Sequence, residues 1–489
     1  MSPARQPAVN PLVALTVVAL VPAVILFVLW RWAAGHADGA EPPPPTTTVD
    51  APPAPSPVLT TPLLSFRRAP AVLARDVNLP AFQTAVADFG ATLGAPSCVA
   101  VDVDGTAVGS TRADQPLIPA SNQKILVAAV ALEVLGADRT FTTEVRGAAP
   151  VGGTVAGDVY LVGGGDPLLT SSTYPVQNDP NPVTSATSLD ALADTLVAAG
   201  VQRVDGGIVG DASRYDDEYF APSWVNDVRG IEAGPYDALM VNDARVTGDP
   251  LRATEPAEAA AREFASLLQS RGIVVAGTPT AGSAPPDADV LGSIQSAPMS
   301  AVVGEMLSTS DNNTAELLVK ELGVSAGGAG TRDAGLAVMA STLSGWGIPM
   351  AGVQLADGSG LSNDNRVTCQ VFVDVLSRSG PTDPLGAGLP VAGVSGTLTD
   401  VFTDSPVAGH MQAKTGTLGN APYNADPPAV KSLSGYLPVE GGGAIEFSLL
   451  LNAAGTLTDQ SVYRPVWDDF AAMLATYPAG PTPADLAPR

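Results

Sequence analysis

Residues Pro119 to Leu135 read PASNQKILVAAVALEVL, a short polar step followed at once by an apolar run. The run from Ile125 to Leu135 lacks strand alternation and predicts a buried helix. Ser121 and Lys124 are three apart, so at helical spacing their side chains share one face. Pro119 precedes the serine, which places Ser121 at the helix opening, at the positive end of the dipole. A serine hydroxyl is a weak nucleophile until its proton is removed. Lys124 can remove it only if its pKa falls; a drop of about 3 units from about 10.4 corresponds to roughly 4 kcal/mol. Burial and a neighbouring cation both push that way, and Lys414 is the candidate neighbour.

The chain holds only four lysines, Lys124, Lys320, Lys414 and Lys431. Lys414 opens Lys414-Thr415-Gly416, and Ser310-Asp311-Asn312 lies between the two motifs. Ser310 and Asn312 fall between helical stretches at 301–307 and 314–322, where two residues spaced by one can point into a cleft. Ser310 is the candidate proton relay to a leaving amine, and Asn312 the ligand of a substrate amide and of Lys124. Thr415 and Thr417 share one face of a strand. Gly416 removes a side chain, so that a ligand can lie against that strand. Lys414 and Thr415 are suited to a terminal carboxylate, and the backbone N–H groups of Ser121 and Thr417 to an oxyanion hole. Taken singly, each element has a plain alternative: a surface lysine on an apolar helix, an Asx or Ser helix cap, a strand-to-turn junction. Together and in order they form the S-x-x-K, S-D-N and K-T-G set of active-site-serine acyltransferases.

Spacing bears on architecture. Ser121 and Ser310 are 189 residues apart, whereas Ser310 and Lys414 are 104 apart. Residues 98–103 and 106–110 read as strands joined by Asp104-Gly105, a hairpin signal. Residues 410–413, 433–437 and 444–451 read as strands, and 81–93 and 462–477 as helices. A sheet built from both chain ends and flanked by helices implies an α+β catalytic domain over 61–143 and 296–477, its antiparallel sheet covered by helices. Residues 144–295 form an inserted α+β region of one or two small domains. Gly163-Gly164-Gly165-Asp166 lacks the lysine of a phosphate loop and is read as a tight turn.

The net charge of −25 argues against nucleic acid and anionic lipid surfaces as partners. With two histidines, His36 and His410, there is no histidine-based metal site, and no cofactor is called for. His410 is placed on the strand leading to Lys414 and is the one candidate base for a serine triad; an exposed strand-end histidine fits better. Cys98 and Cys369 read as two separate buried thiols in preference to a bridge. Leu12 to Trp30 carries no charge and is long enough to span a bilayer, so residues 1–32 read as a cytoplasmic stub and membrane anchor, with a cleaved signal as the alternative. Residues 33–60 form a Pro-rich linker and 478–489 a flexible tail.

Further segments carry a resemblance. Gly157 to Pro167 (GDVYLVGGGDP), Asp357 to Ser362 (DGSGLS), Leu389 to Gly393 (LPVAG) and Gly396-Thr397-Leu398 resemble the low-molecular-mass class C penicillin-binding proteins, D-alanyl-D-alanine carboxypeptidases and endopeptidases. The resemblance covers about residues 61 to 477. It implies a β-lactamase-like transpeptidase domain with domains inserted between the first two motifs, peptidoglycan stem peptides as substrates, β-lactams as inhibitors, and an extracytoplasmic location. Asn363 stands where relatives often carry a basic residue, which leaves out that route to a side-chain carboxylate. A serine β-lactamase, or a penicillin-binding sensor or scaffold without activity, are the alternatives.

Overall fold

The computed structural model describes residues 24–32, 69–172, 174, 183–245, 252–420, 425–452 and 460–478. Met1–Pro62 and Leu63–Arg489 are separate units. In the first, 24–32 is helical. Residues 12–23 of the expected membrane span, the whole 33–60 linker and residues 479–489 of the tail lie outside the described residues. Among the described residues no helix is long and apolar enough to cross a membrane.

The second unit begins with helix α1 (Ala69–Thr92), followed by the hairpin β1 (Ser97–Val103) and β2 (Thr106–Thr111). Asp104 and Gly105 both take positive φ, 51° and 71°, the requirement of a tight two-residue hairpin turn. Helix α2 (Gln123–Val134) buries most of its circumference, as the apolar run from Ile125 to Leu132 demands. Lys124, on its first turn, is thereby carried into the interior.

Strands β3 (Thr142–Gly147), β4 (Val159–Val162), β5 (Ile208–Asp211), β6 (Thr280–Ala281) and β7 (Asp289–Gln295) form a mixed sheet of order β6-β5-β4-β3-β7. Helices α3 (Leu189–Ala198) and α4 (Pro256–Ser270) pack a core of their own against it, with Leu192, Leu196, Phe264 and Leu268 fully buried. The Gly163-Gly164 stretch makes no tight turn. It follows directly on β4, and a Cβ would stand 2.3 Å from the Ala238 carbonyl oxygen at Gly163 and 2.0 Å from that of Thr142 at Gly164, so the glycines serve close backbone approach.

Helices α5 (Met299–Thr309), α6 (Asn312–Leu322), α7 (Arg332–Gly345) and α8 (Cys369–Leu376) follow, then β8 (Gln412–Asn420), β9 (Ala425–Pro438), β10 (Ala444–Asn452) and the closing helix α9 (Gln460–Leu474). The main sheet has the order β8-β9-β10-β1-β2, antiparallel throughout, with Ser97 opposite Leu451. Strand β10 is buried along its whole length, its polar residues Glu446, Ser448 and Asn452 included. Alternation sends Val99, Val101 and Phe447 to α1 and α9, and Cys98, Ala100 and Leu450 to α2, α5 and α8. Cys98 and Cys369 form a disulfide with Cα atoms 6.0 Å apart, contrary to the expectation of separate thiols. The pairing depends on α8 packing on β1 across 271 residues, which cysteine spacing does not encode.

Candidate active site

Ser121 lies in the 3-10 turn Ala120–Asn122 that opens α2. Ala120 is fully buried and held at φ 49°, a conformation L residues rarely adopt, costing about 1–3 kcal/mol. The Asp357–Ser362 loop packs directly on this turn; a Cβ on Gly360 would stand 1.9 Å from the Ala120 carbonyl oxygen. The Asn122 amide directs its nitrogen to the Lys414 carbonyl (2.9 Å) and its oxygen to Ser434, tying the turn to β8 and β9.

Lys124 Nζ stands 3.0 Å from Ser121 Oγ and donates to Asn312 Oδ1 (2.7 Å) and the Ser359 carbonyl (2.6 Å). A neutral amine has two N–H groups and one lone pair. The two carbonyl-type acceptors engage the N–H groups and leave the lone pair facing the serine hydroxyl. Burial lowers the Lys124 pKa to about 8, while the carboxylates of Asp311, Asp357, Glu316 and Glu232 oppose a further fall.

Ser359 owes its position to buried carboxylates. Glu316 accepts from the N–H groups of Gly358 (3.1 Å) and Ser359 (2.7 Å). Asp357 accepts from the N–H groups of Gly360 and Ser362, from Asn365 Nδ2 and from Trp224 Nε1 (2.8 Å). Burial next to Asp357 pushes Glu316 up to about 7.

Ser310 caps α5 in the left-handed region (φ 63°), Asp311 caps α6 by accepting from Thr314 N, and Asn312 begins α6. The helix thus starts two residues earlier than the sequence suggests, and the cap role falls to Asp311. Asn312 Nδ2 donates to the Glu232 carbonyl (3.0 Å) and Oδ1 accepts from Lys124, and these two bonds use only one of its two N–H groups. The expected contact with a substrate amide is compatible with both bonds, since Asn312 also lines the cleft.

On β8, Thr415 and Thr417 face one way and Lys414 and Gly416 the other. A Cβ on Gly416 would stand 2.1 Å from Ser432 Oγ and 3.0 Å from both Pro119 O and Ser121 N, so the glycine lets the strand reach the serine turn. Lys414 is fully buried and donates to the Thr415 carbonyl (2.8 Å). Burial, then the charge of Lys124, holds Lys414 well below the usual lysine range. The expected influence of Lys414 on Lys124 runs the other way: the charge of Lys124 lowers Lys414, whereas burial lowers Lys124. Alternation turns the Lys414 side chain beneath the strand, away from the expected place beside a substrate carboxylate.

Ser121, Ser310, Asn312, Thr415, Gly416 and Thr417 line one cleft of about 450 Å³. Lys124 and Lys414 lie behind its surface, fully buried. Sequence reasoning gave no role to Thr397, whose Oγ1 is 2.8 Å from Thr415 Oγ1, or to Lys431, Glu232, Tyr463 and Arg464, which share the cleft. Thr397 and Ser359 fell in segments quoted above, and Lys431 is one of only four lysines. A larger cavity of about 680 Å³, lined by Asp104, His410 and Glu446 among others, contains none of the motif residues. His410 is exposed in the turn before β8, not on the strand as expected, and does not line the cleft.

Comparison with known proteins shows the family. The family model described as D-Ala-D-Ala carboxypeptidase 3 (S13) family matches residues 83–249 and 243–477. The chain belongs to this S13 family. As an S13 member it is a serine-type peptidase of the low-molecular-mass class C penicillin-binding proteins. It is 33% identical over 432 residues to the D-alanyl-D-alanine carboxypeptidase of Actinomadura sp. (strain R39), covering 71% of this chain and 76% of that relative. It is 30% identical over 466 residues to carboxypeptidase DacB of Mycolicibacterium smegmatis, covering 92% and 93%. Among solved structures, penicillin binding protein 4 of Haemophilus influenzae shares the fold with a TM-score of 0.65 at 20% identity, over 80% of this S13 chain and 98% of that one.

Proposed function

We propose that this protein hydrolyses D-Ala-D-X bonds of peptidoglycan stem peptides as a carboxypeptidase and endopeptidase, through an acyl-enzyme on Ser121. The arrangement of Lys124 carries the reading: its Nζ lies 3.0 Å from Ser121 Oγ, while Asn312 and Ser359 engage its N–H groups. In the first step the Ser121 Oγ bonds to the scissile carbonyl carbon and its proton passes to neutral Lys124. The N–H groups of Ser121 and Thr417 receive the oxyanion, worth about 2.7–4 kcal/mol per donor. The tetrahedral adduct collapses, the C–N bond breaks, and the leaving amine takes a proton relayed by Ser310. Water then attacks the ester and returns free Ser121. β-Lactams, whose amide carbonyl enters the same position, acylate Ser121; the solved β-lactam complex of the Haemophilus influenzae protein shares this fold with a TM-score of 0.56.

Residues 61–143 and 296–477 are taken as the catalytic domain and 144–295 as an insert, a division supported by the separate sheets and cores on the two sides of the motif spacing. The catalytic body works outside the cytoplasm in the cell envelope. Leu12 to Trp30 supplies a membrane tether in this reading, supported by its length and lack of charge. Incubation with a pentapeptide ending in D-Ala-D-Ala should release D-alanine, and Ser121→Ala should abolish the release. Release that persists in Ser121→Ala would overturn the assignment.

A further inference from the structure

The cation that meets the substrate's terminal carboxylate is not settled by the motifs, because Lys414 is fully buried and bonded to the Thr415 carbonyl. We propose that Lys431, on β9, anchors that carboxylate together with the hydroxyls of Thr417 and Thr415; this rests on the function proposed above.

Lys431 stands directly opposite Thr417 in the β8–β9 register, so both side chains emerge on the α9 face of the sheet. Its Nζ is 2.9 Å from Thr417 Oγ1 and 4.1 Å from the ring centre of Tyr463. The residue is only 9% exposed, yet it lines the cleft. A hydroxyl and an aromatic face both favour the charged ammonium, and in so sheltered a place its attraction for an anion is less screened than at the surface. Thr415 Oγ1, paired with Thr397 Oγ1 at 2.8 Å, adds a second hydroxyl along the same face.

The spacing suits a peptide end. Gly416 abuts the Ser121 N–H, and Thr417 lies one residue further along β8. A strand advances about 3.4 Å per residue. In a D-Ala-D-Ala terminus the free carboxylate lies one residue beyond the scissile carbonyl, within about 3.8 Å. A carbonyl held at Ser121 therefore leaves the carboxylate within one strand residue of Gly416, the span over which the Thr415 and Thr417 hydroxyls and Lys431 line the cleft. Charge-assisted hydrogen bonds of this kind select a free acid over a neutral ester.

The test is the second-order rate of Ser121 acylation, read by intact mass, for benzylpenicillin and its methyl ester with the full-length protein. Lys431→Gln should slow the free acid by about 10- to 100-fold and leave the ester within about twofold. Lys431→Arg should retain most of the preference for the acid. Arg464→Gln, which alters the other basic side chain of the cleft, should leave the preference intact. Equal losses for acid and ester in Lys431→Gln, no loss for either, or a collapse of the preference in Arg464→Gln would each overturn the proposal. Failure of the underlying function is distinguishable, since wild type would then form no adduct on Ser121.

Discussion

The two faces of strand β8 use lysine in opposite ways. On the face towards α2, Lys414 and Lys124 are fully buried, and burial lowers the pKa of both, that of Lys124 to about 8. On the face towards α9, Lys431 rests between a hydroxyl and an aromatic ring at the cleft wall. In the mechanism proposed above, one side chain type therefore supplies a base below the strand and an anion anchor above it. The difference lies in the environment alone: low dielectric and a like-charged neighbour on one side, favourable partners on the other.

Removing the base is the strongest way to break this contrast. Lys124→Ala should slow acylation by about 10²- to 10⁴-fold while the fold persists by circular dichroism, because a general base contributes that much. Gly416→Ala attacks the seam between the two faces. Its Cβ would meet Ser432 Oγ and crowd Ser121 N, and a shift of about 1 Å should cost around 100-fold in acylation with a smaller change in Tm. Trp224→Phe probes the supports below the base. It leaves the buried Asp357 carboxylate short of one donor, so urea unfolding should show a loss of about 1.5–3 kcal/mol. Lys414→Met sharpens the comparison most finely: it should slow acylation by free acid and ester alike, by about tenfold, whereas the Lys431 variant discriminates between them. A selective loss of the acid in Lys414→Met would erase the distinction between the faces.

Much of the site could be read from residues alone. Lys124 is carried inside because the apolar run from Ile125 to Leu132 buries most of α2. The sheet assembled from both chain ends followed from the DG hairpin and the apolar C-terminal strands. What escaped depends on tertiary contact. The Ser359 carbonyl has no side-chain signature, and its aim at Lys124 is set by Glu316 from a different helix. The Cys98–Cys369 bridge required knowing that α8 lies on β1. Period-two alternation, already applied to Thr415 and Thr417, also sends Lys414 to the opposite face, but the sequence does not say which face the cleft occupies.

The central claim is that a lysine made neutral by burial deprotonates Ser121, and the pH dependence of benzylpenicillin acylation tests it most directly. The folded pKa of Lys124 lies below the usual lysine value, and the neutral form is the active one, so the rate should rise with pH and level off around a midpoint of about 8. A rate indifferent to pH from 6 to 10, or one still climbing towards the ordinary lysine value of about 10.4, would contradict it.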